Sequence, residues 1–279
     1  MSEAKVGPYL VRELINEGGT AALYVATSPN GETVAVRSLL PKHRFNWTQR
    51  SMFNRGTKIH SKLKSDFIVK FHHSGSQSFC PYAVMEFIPG RNLRLAMLKN
   101  SDQIAPHRFA IIMNMARAMQ EVHDKGYVHL DLKPENFLVT PYWNVKLTDF
   151  DLCAKVDGKP IRKKVIQGTR NYLAPELIEK KPFDQRADIF AFGLICYELF
   201  ANGKKPTDNM LSNDPMFEMQ IRPLSEFVPE VSKNLDKIIL KCLASDMNDR
   251  YPAAWMLVSA LEKELQPKQP AAEQPPPQG

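Results

Sequence analysis

The chain has 279 residues, 43% of them hydrophobic, four cysteines and a formal net charge of +7. That much apolar material builds a sizeable core in one two-lobed domain or two small ones, and it excludes wholesale disorder. No apolar run approaches the roughly 18 residues of a membrane span, and Met1 to Tyr9 lacks the long apolar stretch of a signal peptide.

In chain order, Val11 to Ile15, Leu23 to Ala26 and Thr33 to Arg37 read as short strands. Glu17-Gly18-Gly19-Thr20 joins the first two, and Pro29-Asn30-Gly31-Glu32 has the composition of a hairpin turn. A glycine-bearing loop between strands lets backbone N–H groups approach phosphate closely, because no Cβ intervenes. Phe79 to Phe87 is a further strand. Pro106 to Lys125 is an amphipathic helix: Ile111, Ile112, Met115, Met119 and Val122 recur at helical spacing, and Gly126 marks the stop. Asn144 to Leu147 reads as a strand, and Ile189 to Phe200 is apolar around most of its circumference, as a central buried helix must be. From Pro267 the chain is rich in Pro, Gln and Ala, so residues 266–279 are expected to form a disordered or polyproline-like tail. Cys80, Cys153, Cys196 and Cys242 lie far apart with no C-x-x-C pair, which suits reduced thiols in a cytoplasm and neither a disulfide frame nor a zinc site.

The stretch that carries chemistry follows the amphipathic helix: His129-Leu130-Asp131-Leu132-Lys133-Pro134-Glu135-Asn136. Phosphoryl transfer needs a carboxylate near the attacking hydroxyl and an amide oxygen on a metal ion, and Asp131 and Asn136 can serve as these. Lys133 can neutralise charge on the moving phosphoryl group. Further on stand Thr148-Asp149-Phe150-Asp151 and Gly168-Thr169-Arg170-Asn171-Tyr172-Leu173-Ala174-Pro175-Glu176. In this order the three stretches resemble the H-R-D-x-x-x-x-N catalytic loop, the D-F-G turn and the A-P-E segment of protein kinases. D-L-K-P-E-N is the serine/threonine rather than the tyrosine variant.

The resemblance covers roughly residues 7–265. It implies an α+β, bilobal kinase-like fold in residues 1–265, with a small, mostly β N-lobe (1–87) and a larger, mostly α C-lobe (88–265). It implies ATP between the lobes, magnesium on Asn136 and Asp149, and a protein substrate. Asp131 would orient and deprotonate the hydroxyl, Lys133 would neutralise charge, and Thr169 would tie Asp131 to Lys133. Gly18, Gly19 and Arg37 would lie against the phosphates. Leu23, Ala35 and Leu138 would sandwich the adenine, Met85 would be the gatekeeper, and the backbones of Glu86 and Ile88 would bond the base. Asp188 would support the catalytic-loop backbone, and Arg250 would pair with Glu176.

The departures gather in the first lobe. The family's G-x-G-x-x-G-x-V loop reads Asn16, Gly18 and Ala21 at its glycine positions, with Leu23 at the valine. Arg37 replaces the lysine of V-A-I-K. Placing Leu63 to Val69 on the family's L-x-H-P-N-I-V puts Gly56 where the next helix, expected over Trp47 to Lys64, carries the lysine's glutamate partner. No acidic residue lies between Glu32 and Asp66, so a local strand-to-helix ion pair is impossible and the helix is expected not to be pinned by an ion pair. The basic residues there (Arg37, Lys42, Arg44, Arg50, Arg55, Lys58, Lys62 and Lys64) read as a solvated face, or alternatively as a docking surface for an acidic partner. Asp151 replaces the D-F-G glycine; it is expected to face solvent from a turn, its tolerance of unusual backbone angles preserving the bend, or alternatively to add a third carboxylate to the metal. Residues 152–167 contain no Ser, Thr or Tyr, and Leu130 replaces the arginine that would receive an activating phosphate. Switching by phosphorylation within that segment is therefore not expected.

Two readings follow. The first is a serine/threonine protein kinase, cytoplasmic, weak, using ATP and Mg2+. The alternative, favoured by Asn16, Ala21, Arg37 and Gly56, is a pseudokinase scaffold that binds nucleotide and acts through protein interactions. Specific nucleic-acid binding rests on net charge alone, without a motif, and is not expected.

Overall fold

Alternating apolar residues shape the first ninety positions. In the computed structural model, which describes residues 4–99, 101–162, 168–204, 206 and 221–265, they form one six-stranded sheet. Its order is β1 (Lys5–Val6), β2 (Tyr9–Glu17), β3 (Ala21–Thr27), β4 (Thr33–Leu39), β6 (Cys80–Glu86), β5 (Phe71–Gln77), and every neighbouring pair is antiparallel. The two-residue period of a strand sorts side chains to opposite faces. On β4, Val34 and Val36 pack with Tyr9, Ala26, Tyr82 and Val84. Ala35 and Leu39 point the other way, onto Phe53, Val69, Ala83 and Met85. Arg37 shares this second face, which looks towards helix α1 (Trp47–His60). Asn46 caps α1, its side chain accepting from Gln49 N. The helix ends four residues short of the expected Lys64. The expected hairpin turn bends at Gly31, with φ 84°. Strand β6 starts one residue late because Ser78 and Phe79 turn the β5–β6 hairpin with φ of 47° and 66°.

The second lobe is helical: α2 (Leu93–Lys99), α3 (Ser101–Ile104), α4 (Arg108–Asp124), α5 (Pro175–Ile178), α6 (Arg186–Phe200), α7 (Lys233–Cys242) and α8 (Ala254–Leu265). Every residue of α6 from Ala187 to Phe200 is buried, which matches its all-round apolar sequence. The apolar stripe of α4 packs into the same core, and Gly126, with φ 76°, ends the turn behind it. Two small antiparallel pairs flank the interlobe region: β7 (Tyr127–Val128) with β10 (Ala154–Lys155), and β8 (Phe137–Val139) with β9 (Val145–Leu147). The sequence reading did not anticipate α2, α3, α5, α7 or α8. For α7 the signals were present, with Ser232 capping Leu235 N and buried Leu235, Ile238, Ile239 and Cys242 at helical spacing. All four cysteines are buried free thiols. Among the described residues no helix is long and apolar enough to cross a membrane. The expected tail, 266–279, lies outside the described residues.

Candidate active site

Helix α4 and strand β7 deliver the chain to His129, where a buried carboxylate arrests it. Asp188, in the first turn of α6, accepts from His129 N at 2.6 Å, Leu130 N at 2.8 Å and His123 Nε2 at 2.8 Å. Burial works against this charge. The hydrogen bonds from His123 and from the His129 backbone outweigh it and hold the carboxyl below its ordinary range. Leu130, with φ 68°, then swings Asp131 outward.

Asp131 sits at the centre of a polar cluster. Its Oδ1 accepts from Thr169 N at 3.0 Å and Thr169 Oγ1 at 2.9 Å. Its Oδ2 accepts from Asn136 Nδ2 at 3.2 Å and lies 2.8 Å from Lys133 Nζ. Lys133 Nζ also donates to Thr169 Oγ1 at 2.9 Å. Asn136 Nδ2 donates to the Asp131 carbonyl at 2.8 Å, so the amide presents Oδ1 as its acceptor. The β8–β9 hairpin brings the next motif alongside, with Thr148 N donating to Asn136 O at 2.9 Å. Asp149 follows in a left-handed conformation, φ 66°, with its side chain 38% exposed. Partial burial raises the cost of its charge, but Arg37 above all, at 3.7 Å, holds the carboxyl below its ordinary value. The structure therefore gathers Asp131, Lys133, Asn136, Thr169 and Asp149 into one site.

One expectation is overturned at the interface of the two lobes. Asp151 does not face solvent. Its side chain is 13% exposed and grips Arg37 with both oxygens, at 2.9 Å from Nη1 and 2.6 Å from Nη2. Helix α1 is held instead by contacts other than an ion pair. Phe53 presents its ring 4.9 Å from the Arg37 guanidinium, and Arg55 Nη2 donates to the Asp151 carbonyl at 3.0 Å. Gly56 makes the arrangement possible: a Cβ there would lie 2.8 Å from both Cα and N of Asp151, and closer still to its Oδ1. A partner 114 residues away escaped a search confined to neighbouring sequence. Of the other basic residues in that stretch, Lys42, Arg44, Lys58, Lys62 and Lys64 are exposed.

Towards the outer edge of the cleft, Leu23, Ala35, Met85, Ile88 and Leu138 belong to one apolar cluster. Strand β6 ends at Glu86, and Ile88 runs outside the ladder. The Glu86 carboxylate accepts from Lys70 N at 2.6 Å and pairs with Lys146 Nζ at 2.7 Å. Gly18 and Gly19 lie in the β2–β3 turn, but the Gly18 N–H is already bonded to Ala21 O at 3.0 Å. That turn is also fastened down, by His43 Nε2 donating to Gly19 O at 2.8 Å and by Thr20 Oγ1 donating to Gln49 Oε1 at 3.2 Å.

A stack of rings behind the site was missed from sequence. Phe71 and His60 have centroids 5.5 Å apart, His60 and Phe150 4.8 Å, and Phe150 and His129 5.3 Å. The stack runs from strand β5 through α1 and the Asp149–Asp151 turn to the loop that Asp188 holds. Buried His60 donates from Nε2 to Val69 O at 2.5 Å, the carbonyl being able only to accept. Its spacing of four from Gly56, on one helix face, was the available signal. A second missed group joins Arg94 to Glu198 at 2.5 Å and Glu135 at 2.9 Å, with Tyr172 also bonded to both Arg94 and Glu198.

A family model described as the protein kinase domain matches residues 9–260. The "Tyrosine-protein kinase MasK" of Myxococcus xanthus is 29% identical over 276 residues, covering 92% of this chain and 43% of that protein. The "Probable serine/threonine-protein kinase PknB" of Corynebacterium glutamicum is 30% identical over 267 residues, 88% of this chain and 40% of the relative. The "Probable serine/threonine-protein kinase CA_C1728" of Clostridium acetobutylicum is 30% identical over 258 residues, with 88% and 38% covered. The chain spans about two fifths of the length of these relatives.

Proposed function

The chain belongs to the protein kinase family, and from this premise we propose that it transfers the γ-phosphoryl group of ATP to serine or threonine hydroxyls of a protein. The observation that carries the reading is the Asp131 carboxylate, tied to Lys133, Thr169 and Asn136 and set beside Asp149. A carboxylate held by this many donors is fixed in direction, which is what positioning a hydroxyl requires. Asp131 orients the hydroxyl and accepts its proton as the new O–P bond forms and the bond from the γ-phosphorus to the bridging oxygen breaks, with ADP leaving. Lys133 and Arg37 offset the charge spread over the transferred group.

Asn136 Oδ1 and the Asp149 carboxylate are hard oxygen donors suited to magnesium, and the partly exposed Asp149 is reachable by a cation. When bound, Mg2+ would neutralise phosphate oxygens and fix their orientation. The apolar group of Leu23, Ala35, Met85, Ile88 and Leu138 suits the two faces of an adenine, and the backbones of Glu86 and Ile88 suit its edge.

Two features argue for weak transfer. Asp151 already holds the charge of Arg37, and the Gly18 N–H is spent inside its own turn rather than offered to phosphate. The same features support the alternative of a pseudokinase that binds nucleotide and acts as a scaffold. Control by phosphorylation at 152–167 is excluded from the reading, since that segment offers no hydroxyl. The exposed lysines of the first lobe read as solvated surface, with an acidic protein as the partner they would otherwise suit. Buried free thiols support a cytoplasmic setting.

Radiolabel incorporation tests transfer. Wild type is expected to exceed Asp131→Ala by at least about a hundredfold, the usual worth of a general base; equal incorporation rejects the activity. Thermal stabilisation by ATP that requires magnesium is expected as well, and its absence rejects nucleotide binding.

A further inference from the structure

Three departures from the kinase pattern, Arg37, Gly56 and Asp151, lie far apart in sequence and meet at one point in the fold. We propose that they are one coupled replacement, and that Asp151 is a positioning residue that locks strand β4, helix α1 and the metal-ligand turn in a single contact. The inference rests on the reading of this cleft as a Mg–ATP site.

Each residue explains the others. The paired bonds at 2.9 and 2.6 Å need a planar fork with two donors, which arginine has and lysine lacks. The same plane lies against Phe53 of α1. Asp151 reaches this place only because position 56 has no side chain, since the backbone of Asp151 is itself within 2.8 Å of where a Cβ would be. Arg55, the preceding residue of the helix, then closes the contact on the Asp151 carbonyl.

The location of the carboxylate changes what the ion pair does. A glutamate on α1 would join strand to helix and leave the turn out of the bond. Asp151 is two residues after Asp149, so the pair forms only while the turn holds Asp149 in its φ 66° conformation. Strand, helix and metal ligand are thereby set by one contact. It also divides the guanidinium between two carboxylates. Asp151 takes both Nη groups and Asp149 keeps the longer 3.7 Å contact, which leaves the Asp149 oxygens to a cation. Residues 152–167 carry no hydroxyl to phosphorylate, and this bond holds the turn without an added phosphate.

The test is a thermal unfolding cycle on the nucleotide-free chain, comparing wild type, Gly56→Glu, Asp151→Gly and the double variant. Each single change is expected to lower Tm by about 5 °C or more, through a clash in the first and the loss of both Asp151 bonds to Arg37 in the second. The double variant is expected to recover to within roughly 2 °C of wild type, because the glutamate enters the vacated space and takes Arg37. Losses that simply add overturn the proposal. Asp151→Asn, which keeps the shape and removes the charge, supplies a second readout. Arg37 should then close on Asp149, raising the magnesium concentration for half-maximal stabilisation by ADP about tenfold; an unchanged midpoint counts against the proposal. Coupled unfolding in a chain without transfer activity supports the lock and rejects only the activity.

Discussion

Two arginines each grip a carboxylate with both Nη groups, one inside the large lobe and one between the lobes, and the two pairs differ in how they are placed. In the large lobe Arg250 holds Glu176 at 2.7 and 2.8 Å across 74 residues. It also donates to the carbonyls of Ala244, Arg186 and Ser245, so its donors are all occupied inside the core. Between the lobes Arg37 holds Asp151 across 114 residues, with side chains 21% and 13% exposed beside the cleft. The first pair occupies the positions that the family pattern names. The second keeps the physics and changes the residues: the cation is arginine, the glutamate position is empty, and the anion comes from the turn. A buried guanidinium requires a carboxylate, and any backbone position that can present one will serve.

Breaking the pairs one at a time should show which is structural and which is poised. Arg250→Ala leaves Glu176 charged and unpaired in the core, and a loss of about 3–5 kcal/mol is expected, roughly 10 °C in Tm. Chemical denaturation monitored by circular dichroism measures it; a loss under about 1 kcal/mol would equate the pair with a surface contact. A smaller effect is expected from Arg37→Lys, which keeps the charge but gives up the second bond to Asp151 and the plane against Phe53. That change should cost about 1–2 kcal/mol. It should also leave kcat/KM no higher than wild type, because position 56 still offers no glutamate. A tenfold gain in kcat/KM would mean that the arginine is merely a defect.

The same contrast decides what could be read from the sequence. Asp131, Lys133, Asn136, Asp149 and Thr169 were legible because their spacing along the chain is imposed by chemistry at one phosphate, and the structure gathers them. The sheet and helix α6 were legible from alternation and from an apolar run. Asp151 was not, because a carboxylate after Asp149-Phe150 reads locally as a turn residue, and only the three-dimensional fit to Gly56 gives it a partner. Nor was the spent Gly18 N–H, since a glycine turn that covers phosphate and one that closes on itself share a composition. Helix α7 carries a legible signal in the Ser232 cap and its apolar spacing, but no chemical motif falls on it.

The smallest expected effect separates the lobes by pH. His60 is buried between Phe71 and Phe150, and burial pushes its pKa down; Arg37 adds to that, while the bond to Val69 and the charges of Asp149 and Glu86 oppose it. With the folded value below the ordinary value of about 6.5, its contribution to stability is complete above that pH. As pH falls below about 6.5 the unfolded chain takes up the proton first, and stability declines until the folded value is passed. Asp188 in the large lobe responds in the same direction, but in a lower pH window. Its lowered pKa contributes stability above the ordinary carboxylate value of about 3.9, and that contribution is lost only as pH falls below it. Acid should therefore loosen strand β5 and helix α1 before it loosens the loop at His129. Hydrogen-exchange protection in the two lobes, followed from pH 7 downward, gives the order. His60→Leu should remove the first decline and leave the second, because a neutral apolar side chain fills the stack without a proton to gain. Equal slopes in wild type and His60→Leu would place the acid sensitivity of the small lobe elsewhere.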